Sequence, residues 1–195
     1  MIDRTRFDVI RQKHGGYASW AVWSEASETP KSNIGDMSVF DLEANSSLLQ
    51  TIKGNVVMVG LNISRSFSEP FRNFHDPSSK AHDFKIRYAF MNTKYYGAYM
   101  TDIIKNVEMV DSNALLKHLK ASPSLVRKNV EAFREELQDL NSGKSTILAF
   151  GVAAHRILED HISSHEYSRL IKLTHYSDWR MNKEKYRQSV LAKIN

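Results

Sequence analysis

The sequence of 195 residues contains no cysteine. It therefore has no disulfide bond, no thiolate nucleophile, no cysteine-ligated zinc and no iron–sulfur cluster of the ordinary kind. A chain without cysteine fits a reducing compartment, so we expect the protein in the cytoplasm. Long apolar runs are also missing, and none approaches the ~20 residues that a membrane-spanning helix needs. We expect no membrane partner.

The amino-terminal stretch lacks the apolar core of a signal peptide. Residues 1–14 mix acids with bases, so export is not expected. The length suffices for one well-buried α/β domain and is short for two, and 42% hydrophobic with 25% charged residues is ordinary for a globular chain. We predict a single domain over residues 1–195 and leave its oligomeric state open.

The positive charge is concentrated at the carboxyl end of the sequence. The net charge is +5, and residues 169–195 hold seven bases against two acids, so this tail accounts for the whole excess. A basic segment beside a ligand site favours phosphate or nucleic acid, although a solvated basic helix is the commoner explanation of such a cluster.

Residues 56–60, VVMVG, form a continuous apolar run that predicts a strand buried on both faces of a sheet. Gly60, Leu61, Asn62 and Ser64 follow at its carboxyl end, where open α/β folds bind their ligands. A strand that simply enters a polar turn is the alternative interpretation of this stretch.

Three further apolar segments resemble strands, and helical patterns lie between the later ones. The alternation predicts an α/β fold, a three-layer α/β/α sandwich with a central, mainly parallel four-stranded sheet, on which residues 1–53 pack as a helical and loop extension. The predicted strands are residues 56–60, 97–101, 146–150 and 170–174. The predicted helices are residues 3–13, 41–53, 113–120, 123–140, 152–162 and a basic terminal helix from residue 182.

A long irregular segment follows the first strand and continues to about Asp83. Long loops at the carboxyl end of a strand are usually functional, and this one contains Phe74 and His75. A His-Asp pair recurs seven residues apart within it, which raises the question of a metal. No third ligand stands at a recognised spacing, so we expect no metal and no other cofactor.

Four separated segments together resemble the uracil-DNA glycosylase superfamily. VGLNIS, which includes Asn62, is similar to the first motif of its mismatch-specific branch, Gly-Ile-Asn-Pro. THYSDW, which includes His175, is similar to the second motif, His-Pro-Ser-Pro-Leu. MTDIIK and ILAFGVAAHRIL lie between them, where the family has its base-recognition strand and its third strand with the following helix. Ile63 and Tyr176 replace the prolines of the motifs, and the catalytic aspartate of one branch has no counterpart in the first motif.

The resemblance implies a site that hydrolyses the N-glycosidic bond of a damaged or deaminated base in DNA, as in base excision repair. Asn62 would position the water or contact the base, and His175 would donate a hydrogen bond to the base oxygen. Ser177 would hold a phosphate, and Asp102 stands where the family reads the base edge with an asparagine. An ionised carboxylate only accepts hydrogen bonds, so uracil is expected to be a poor substrate. The other substrate-binding residues on this interpretation are Gly60, Leu61, Ser64, Phe74 and His75.

Such an enzyme reaches its base by extruding it from a duplex or by using single strands. Trp179 occupies the position of the family's leucine wedge, and Phe74 is placed to stack on the extruded base. Structural packing is an equally good explanation of both aromatic residues. The predicted DNA contacts are Trp179, Arg180, Lys183, Lys185 and Arg187.

Two other functions stay open. The missing prolines and aspartate favour a non-catalytic protein that binds nucleic acid or a nucleotide on the same face. An enzyme acting on a different small substrate that contains a nucleobase is the third hypothesis.

Overall fold

The described residues of the protein form a sheet of five strands. A computed structural model describes residues 2–63, 67–105 and 107–195. The spatial order of the strands is β1-β3-β2-β4-β5. They are β1 (Ser19–Trp20), β2 (Lys53–Asn62), β3 (Ala98–Ile104), β4 (Ser145–Phe150) and β5 (Tyr167–Leu173).

The last four strands are parallel, as the sequence predicts, because β2 pairs with both β3 and β4, and β4 pairs with β5. The fifth strand, β1, is missing from the prediction. It pairs antiparallel with Tyr99 and Met100 at the open edge of β3. Two residues are too few to produce an alternating pattern in the sequence. β1 is therefore recognised only by its pairing with β3 in the structure.

The described residues form seven helices around this sheet. Most of the predicted helices begin and end within two residues of their predicted bounds, and the helix Asp83–Phe90 is missing from the prediction. The Asn182 side chain caps the last helix by accepting from the Lys185 amide, and Asn141 ends the longest helix in a left-handed conformation. They are α1 (Arg4–His14), α2 (Leu48–Thr51), α3 (Asp83–Phe90), α4 (Ser112–Ala121), α5 (Pro123–Leu140), α6 (Val152–His161) and α7 (Lys183–Ile194), with a 3₁₀ turn at Met37–Phe40.

The predicted helix over residues 41–53 is wrong. Only the single turn of α2 forms there, and β2 already begins at Lys53. Asp41 accepts a hydrogen bond from the Glu43 amide, and Asn45 donates to the Val39 carbonyl. Such local bonds compete with the helical pattern, which explains the difference.

Helices cover both faces of the sheet. Val57 and Val59 of β2 belong to one buried cluster with residues of α1, α4, α5 and α6. Val56 and Met58 belong to a second cluster with residues of α3 and α7. The α/β/α sandwich is therefore present, and the amino-terminal segment contributes both a strand and a core helix to it. No helix in the described part of the chain is long and apolar enough to cross a membrane.

Candidate functional site

A cleft of about 520 Å³ opens at the carboxyl edge of the parallel strands, above β2 and β4. The chain order of the strands reverses between these two neighbours, since β3 lies on one side of β2 and β4 on the other. Open α/β sheets bind ligands at such a switch point. Asn62 from β2, Asp102 from β3 and His175 after β5 all line this cleft, so the structure brings the three predicted residues together.

Asp102 is the most deeply buried of the three, with 3% of its surface exposed. It lies opposite Gly60 in the β2–β3 register. A Cβ at residue 60 would lie 2.2 Å from Asp102 Oδ1, so glycine is the residue that leaves room for the carboxyl group. Gly60 therefore contributes to the site by leaving space for the Asp102 side chain.

The Asn73 side chain orients the carboxyl group of Asp102. Its Nδ2 donates to Asp102 Oδ2 at 2.8 Å and to the Tyr17 carbonyl at 2.8 Å, while its Oδ1 accepts from the Phe74 amide. Burial raises the pKa of Asp102 to about 7, and the Asn73 hydrogen bond and the Lys105 charge oppose that shift. Both protonation states are therefore populated near neutral pH, as a general acid or base requires.

A buried ion pair lies behind Asp102. Lys105 Nζ is 2.6 Å from Glu136 Oε1, and the two side chains are 3% and 0% exposed. The same ammonium group donates to the Asp102 carbonyl at 2.6 Å, and the Tyr99 hydroxyl donates to Glu136 Oε2 at 2.7 Å. Side chains from β3, from the residue directly after it and from α5 thus support this wall of the cleft.

His175 is held by the turn that follows it. The Ser177 amide donates to His175 Nδ1 at 3.2 Å, and the Ser177 hydroxyl lies 2.7 Å from the same nitrogen. Because an amide N–H only donates, we assign the ring proton to Nε2, which leaves that nitrogen as a donor. Burial lowers the pKa of His175 to about 4, and the nearby His82 adds to the effect. The imidazole is neutral at pH 7.

The Asn62 side-chain amide donates its hydrogens to backbone carbonyls of the protein. Nδ2 lies 2.9 Å from the Val107 carbonyl, 2.9 Å from the Met109 carbonyl and 3.0 Å from the Ile63 carbonyl. The side chain therefore anchors the segment 107–110, whose Met109 and Val110 line the cleft. For a water or a base, Asn62 can offer only its carbonyl oxygen.

The two predicted site residues of the long loop, Phe74 and His75, have different positions. Phe74 lines the cleft, is 2% exposed and contacts the Tyr176 ring edge-on, with 6.4 Å between ring centroids. His75 is fully buried away from the cleft, within hydrogen-bonding distance of the Val22 and Asn73 carbonyls and stacked on Trp23. His75 is a core residue, and it does not reach a substrate in the cleft.

Leu61 and Ser177 line the cleft as well, whereas Ser64 lies outside the described residues. Sequence reasoning missed Asn73, His82 and Asp83. His82 and Asp83 were visible only as half of a repeated His-Asp pair, and nothing in the local pattern connects Asn73 with Asp102. Within the described residues, no group of three or more histidine or acidic side chains is arranged to hold a metal ion.

The predicted DNA-contacting residues of the tail differ in availability. Trp179 is 86% exposed beside the cleft residue Asp178. Arg180 forms a two-pronged ion pair with Asp178, which lowers the pKa of that carboxyl to about 2. Lys183 pairs with Glu184 and lies over the Tyr88 ring.

Arg187 is committed to the fold, because its guanidinium donates to the carbonyls of Tyr88, Ala89 and Met91 at the end of α3. Lys185 is exposed and forms no ion pair with any residue that the structure describes. Of the predicted basic contacts, Lys185 is therefore the one that is most available to a phosphate.

Comparison of the chain with protein-family models, with curated proteins and with solved structures finds no match.

Proposed function

We propose that the protein is a divergent DNA glycosylase, which hydrolyses the N-glycosidic bond of a damaged or deaminated base, as its resemblance to the uracil-DNA glycosylase superfamily implies. One observation carries the proposal. Asp102 and His175 line a single cleft from opposite walls, and burial makes His175 a neutral donor and Asp102 a carboxyl group that titrates near pH 7.

The reaction needs a donor for the departing base and a place for water. When the bond between the sugar carbon and the base nitrogen breaks, the electron pair goes to the base, and His175 Nε2–H donates to the base oxygen on which negative charge develops. Water then adds to the sugar carbon, and the proton that it loses goes to the base anion, so that the base leaves as a neutral molecule. The cleft volume of about 520 Å³ fits a small ligand of nucleoside size.

Asp102 is the residue we assign to the edge of the base. In its ionised form the carboxylate accepts hydrogen bonds only, whereas the protonated form both donates and accepts, as an asparagine amide does. Because the pKa of Asp102 is raised to about 7, the two forms exchange near neutrality. The preferred base should therefore depend on pH.

The experiment is incubation with oligonucleotides that carry uracil, hypoxanthine, xanthine or a mismatched base, at about pH 6 and about pH 8 on either side of the Asp102 pKa, scored for abasic sites. We expect relatively more uracil excision at the lower pH and relatively more excision of bases with donor groups at the higher pH. Asp102→Asn should excise uracil at both values. Asp8→Asn, an exposed change on α1, is the matched control.

Two outcomes would change the assignment. Uracil cleavage at the higher pH that disappears in Asp102→Asn would make Asp102 the base that takes the proton from water. No excision of any base, by the parent or by the variant, would contradict the glycosylase proposal.

A non-catalytic protein that binds nucleic acid or a nucleotide in the same cleft is the second candidate. The observation in its favour is that the Asn62 amide hydrogens are used on the carbonyls of Ile63, Val107 and Met109, so this side chain has less to offer a reacting group than the resemblance implies. Binding of an oligonucleotide without abasic sites would support it.

A further inference from the structure

A second basic surface lies away from the tail, on α4 and the start of α5. Residues 112–128 include Lys117, Lys120, Arg127 and Lys128 and contain no aspartate or glutamate. All four side chains are exposed, and none forms an ion pair with a residue in the described part of the chain. Unlike Arg180, Lys183 and Arg187, these four side chains form no hydrogen bond or ion pair with any of the residues that the structure describes.

An apolar groove of about 590 Å³ runs beside this surface, between α4, α5 and α6. Leu116, Leu119, Val126 and Ile157 are among the residues that line it, with Leu116 42% exposed. The charged lining residues are Lys120, Arg156 and Asp160, of which the last two pair at 3.6 Å. Lys120 is thus the unpaired charge of the groove, and it is positive.

The groove is continuous with the cleft. Val152 and Ala153, at the start of α6, line both, and Val152 is 69% exposed. A chain-like ligand with one unit in the cleft can therefore place its next units over Val152 and along the groove. Such a ligand would have apolar faces for the groove and negative charges for Lys117 and Lys120.

We propose that this surface, α4 with the adjoining groove, binds the single-stranded nucleic acid that flanks the nucleotide in the cleft. The bases of a single strand are unpaired and can lie against apolar side chains, while its phosphates contact the lysines. A duplex keeps its bases stacked inside and would leave the groove empty. The inference rests on the proposed function for what occupies the cleft, but it can be tested by binding alone.

The test measures fluorescence anisotropy of oligothymidylates of about 4 and about 12 nucleotides, lengths that bracket common single-strand sites. We expect the longer strand to bind more tightly, and we expect Lys117→Glu/Lys120→Glu to remove most of that gain. Its salt dependence should also become shallower by roughly 1.4 in logarithmic slope, since each lost phosphate contact on a single strand removes about 0.7. The control is Lys144→Glu/Lys193→Glu, the same charge change at two exposed lysines, one directly before β4 and one in the last turn of α7, neither of which is a predicted DNA contact.

A variant of the apolar groove distinguishes apolar contacts with the bases from electrostatic attraction of the phosphates. Leu116→Ser/Val152→Ser changes no charge and should weaken the longer strand about tenfold while leaving the salt slope unchanged. Equal losses in the α4 lysine variant and in Lys144→Glu/Lys193→Glu, or tighter binding of a matched duplex than of the single strand, would overturn the proposal.

The outcome is distinguishable from failure of the proposed function. Length-dependent binding that needs Lys117 and Lys120, without any base excision, would leave this inference standing and remove the glycosylase. Base excision from long single strands at an unchanged rate in Lys117→Glu/Lys120→Glu would remove this inference and leave the glycosylase. Absence of any DNA binding together with binding of a peptide helix in the groove would make the occupant a protein, against the proposal.

Discussion

Asp102 on one wall of the cleft is buried and His175 on the other is half-buried, and loss of water contact moves their pKa values in opposite directions, to about 7 and to about 4. The cause is the same, because burial disfavours whichever form carries the charge. At neutral pH the cleft therefore presents a neutral imidazole and a carboxyl group that is only partly ionised.

The walls also differ in how they are built. Asp102 belongs to a network with Asn73, Lys105 and Glu136, which come from three separate parts of the chain and are all buried. His175 is held by Ser177, two residues away, in a turn near the surface. Changes on the Asp102 wall should consequently affect folding, whereas changes on the His175 wall should, at neutral pH, affect activity much more than stability.

The largest effect is expected from breaking the ion pair behind Asp102. Lys105→Met leaves Glu136 buried and unpaired, which should lower the free energy of unfolding by about 3–5 kcal/mol. Urea denaturation measures it. Lys105→Met/Glu136→Leu should recover much of the loss, and the exposed Lys117→Met should stay within about 0.5 kcal/mol of the parent. If Lys105→Met is as stable as the parent, the stability of the Asp102 wall does not depend on this ion pair.

The opposite wall should respond in activity. If the protein is a glycosylase, His175→Ala should reduce the excision rate by about 10²–10³-fold, the usual cost of one donor to a developing anion, in single-turnover assays. The free energy of unfolding should change little, because the ring is held by a surface turn. His165→Ala, an exposed histidine before β5, is the matched control. Equal rates in both variants would exclude His175 as the donor.

A substitution that crowds Asp102 should lower the free energy of unfolding by less than loss of the ion pair does. Gly60→Ala places a methyl group against Asp102 Oδ1, which Asn73 and burial hold in position, and should cost about 1–3 kcal/mol in thermal or urea unfolding. Gly16→Ala is the control, since a Cβ there meets no atom within 4 Å. A neutral Gly60→Ala that also leaves the Asp102 titration unchanged would mean that the carboxyl group moves freely.

The pH dependence of stability, a change of slope and not of a single value, separates the two walls directly. Between about pH 4 and 7 the native Asp102 keeps a proton that the unfolded chain has lost, so this carboxyl group lowers stability as pH rises, by about 1.4 kcal/mol per unit. Between about pH 4 and 6.5 the native His175 lacks a proton that the unfolded chain binds, so this ring raises stability as pH rises.

The measurement is urea unfolding from pH 4.5 to 6.5, a range between the pKa values above. Asp102→Asn should steepen the rise of stability with pH, and His175→Gln should flatten it. His75, whose pKa burial also lowers to about 4, adds the same sign as His175 in every variant. If both variants keep the parent's slope of stability against pH, Asp102 and His175 each have the same pKa in the folded and in the unfolded chain.

Local sequence patterns determined much of this protein. The run VVMVG in β2 predicts a buried strand because it is short, rich in β-branched valine and followed by a glycine. Ser122-Pro123 begins α5 at the predicted residue. Since parallel strands present their carboxyl ends at one edge, the convergence of Asn62, Asp102 and His175 was also predictable. The basic composition of the tail was visible as well, but its availability to a ligand was not.

Only the tertiary structure decided what those side chains do once they meet. Asn62 lies 45 and 47 residues from the carbonyls that its amide holds, Asn73 lies 29 residues from Asp102, and Arg187 reaches carbonyls more than 90 residues away. Hydrogen bonds across such separations leave no trace in local periodicity, and a pKa depends on the water that the whole fold excludes. For that physical reason Asp102 is a part-protonated acid, His75 a core residue and Arg187 a helix cap.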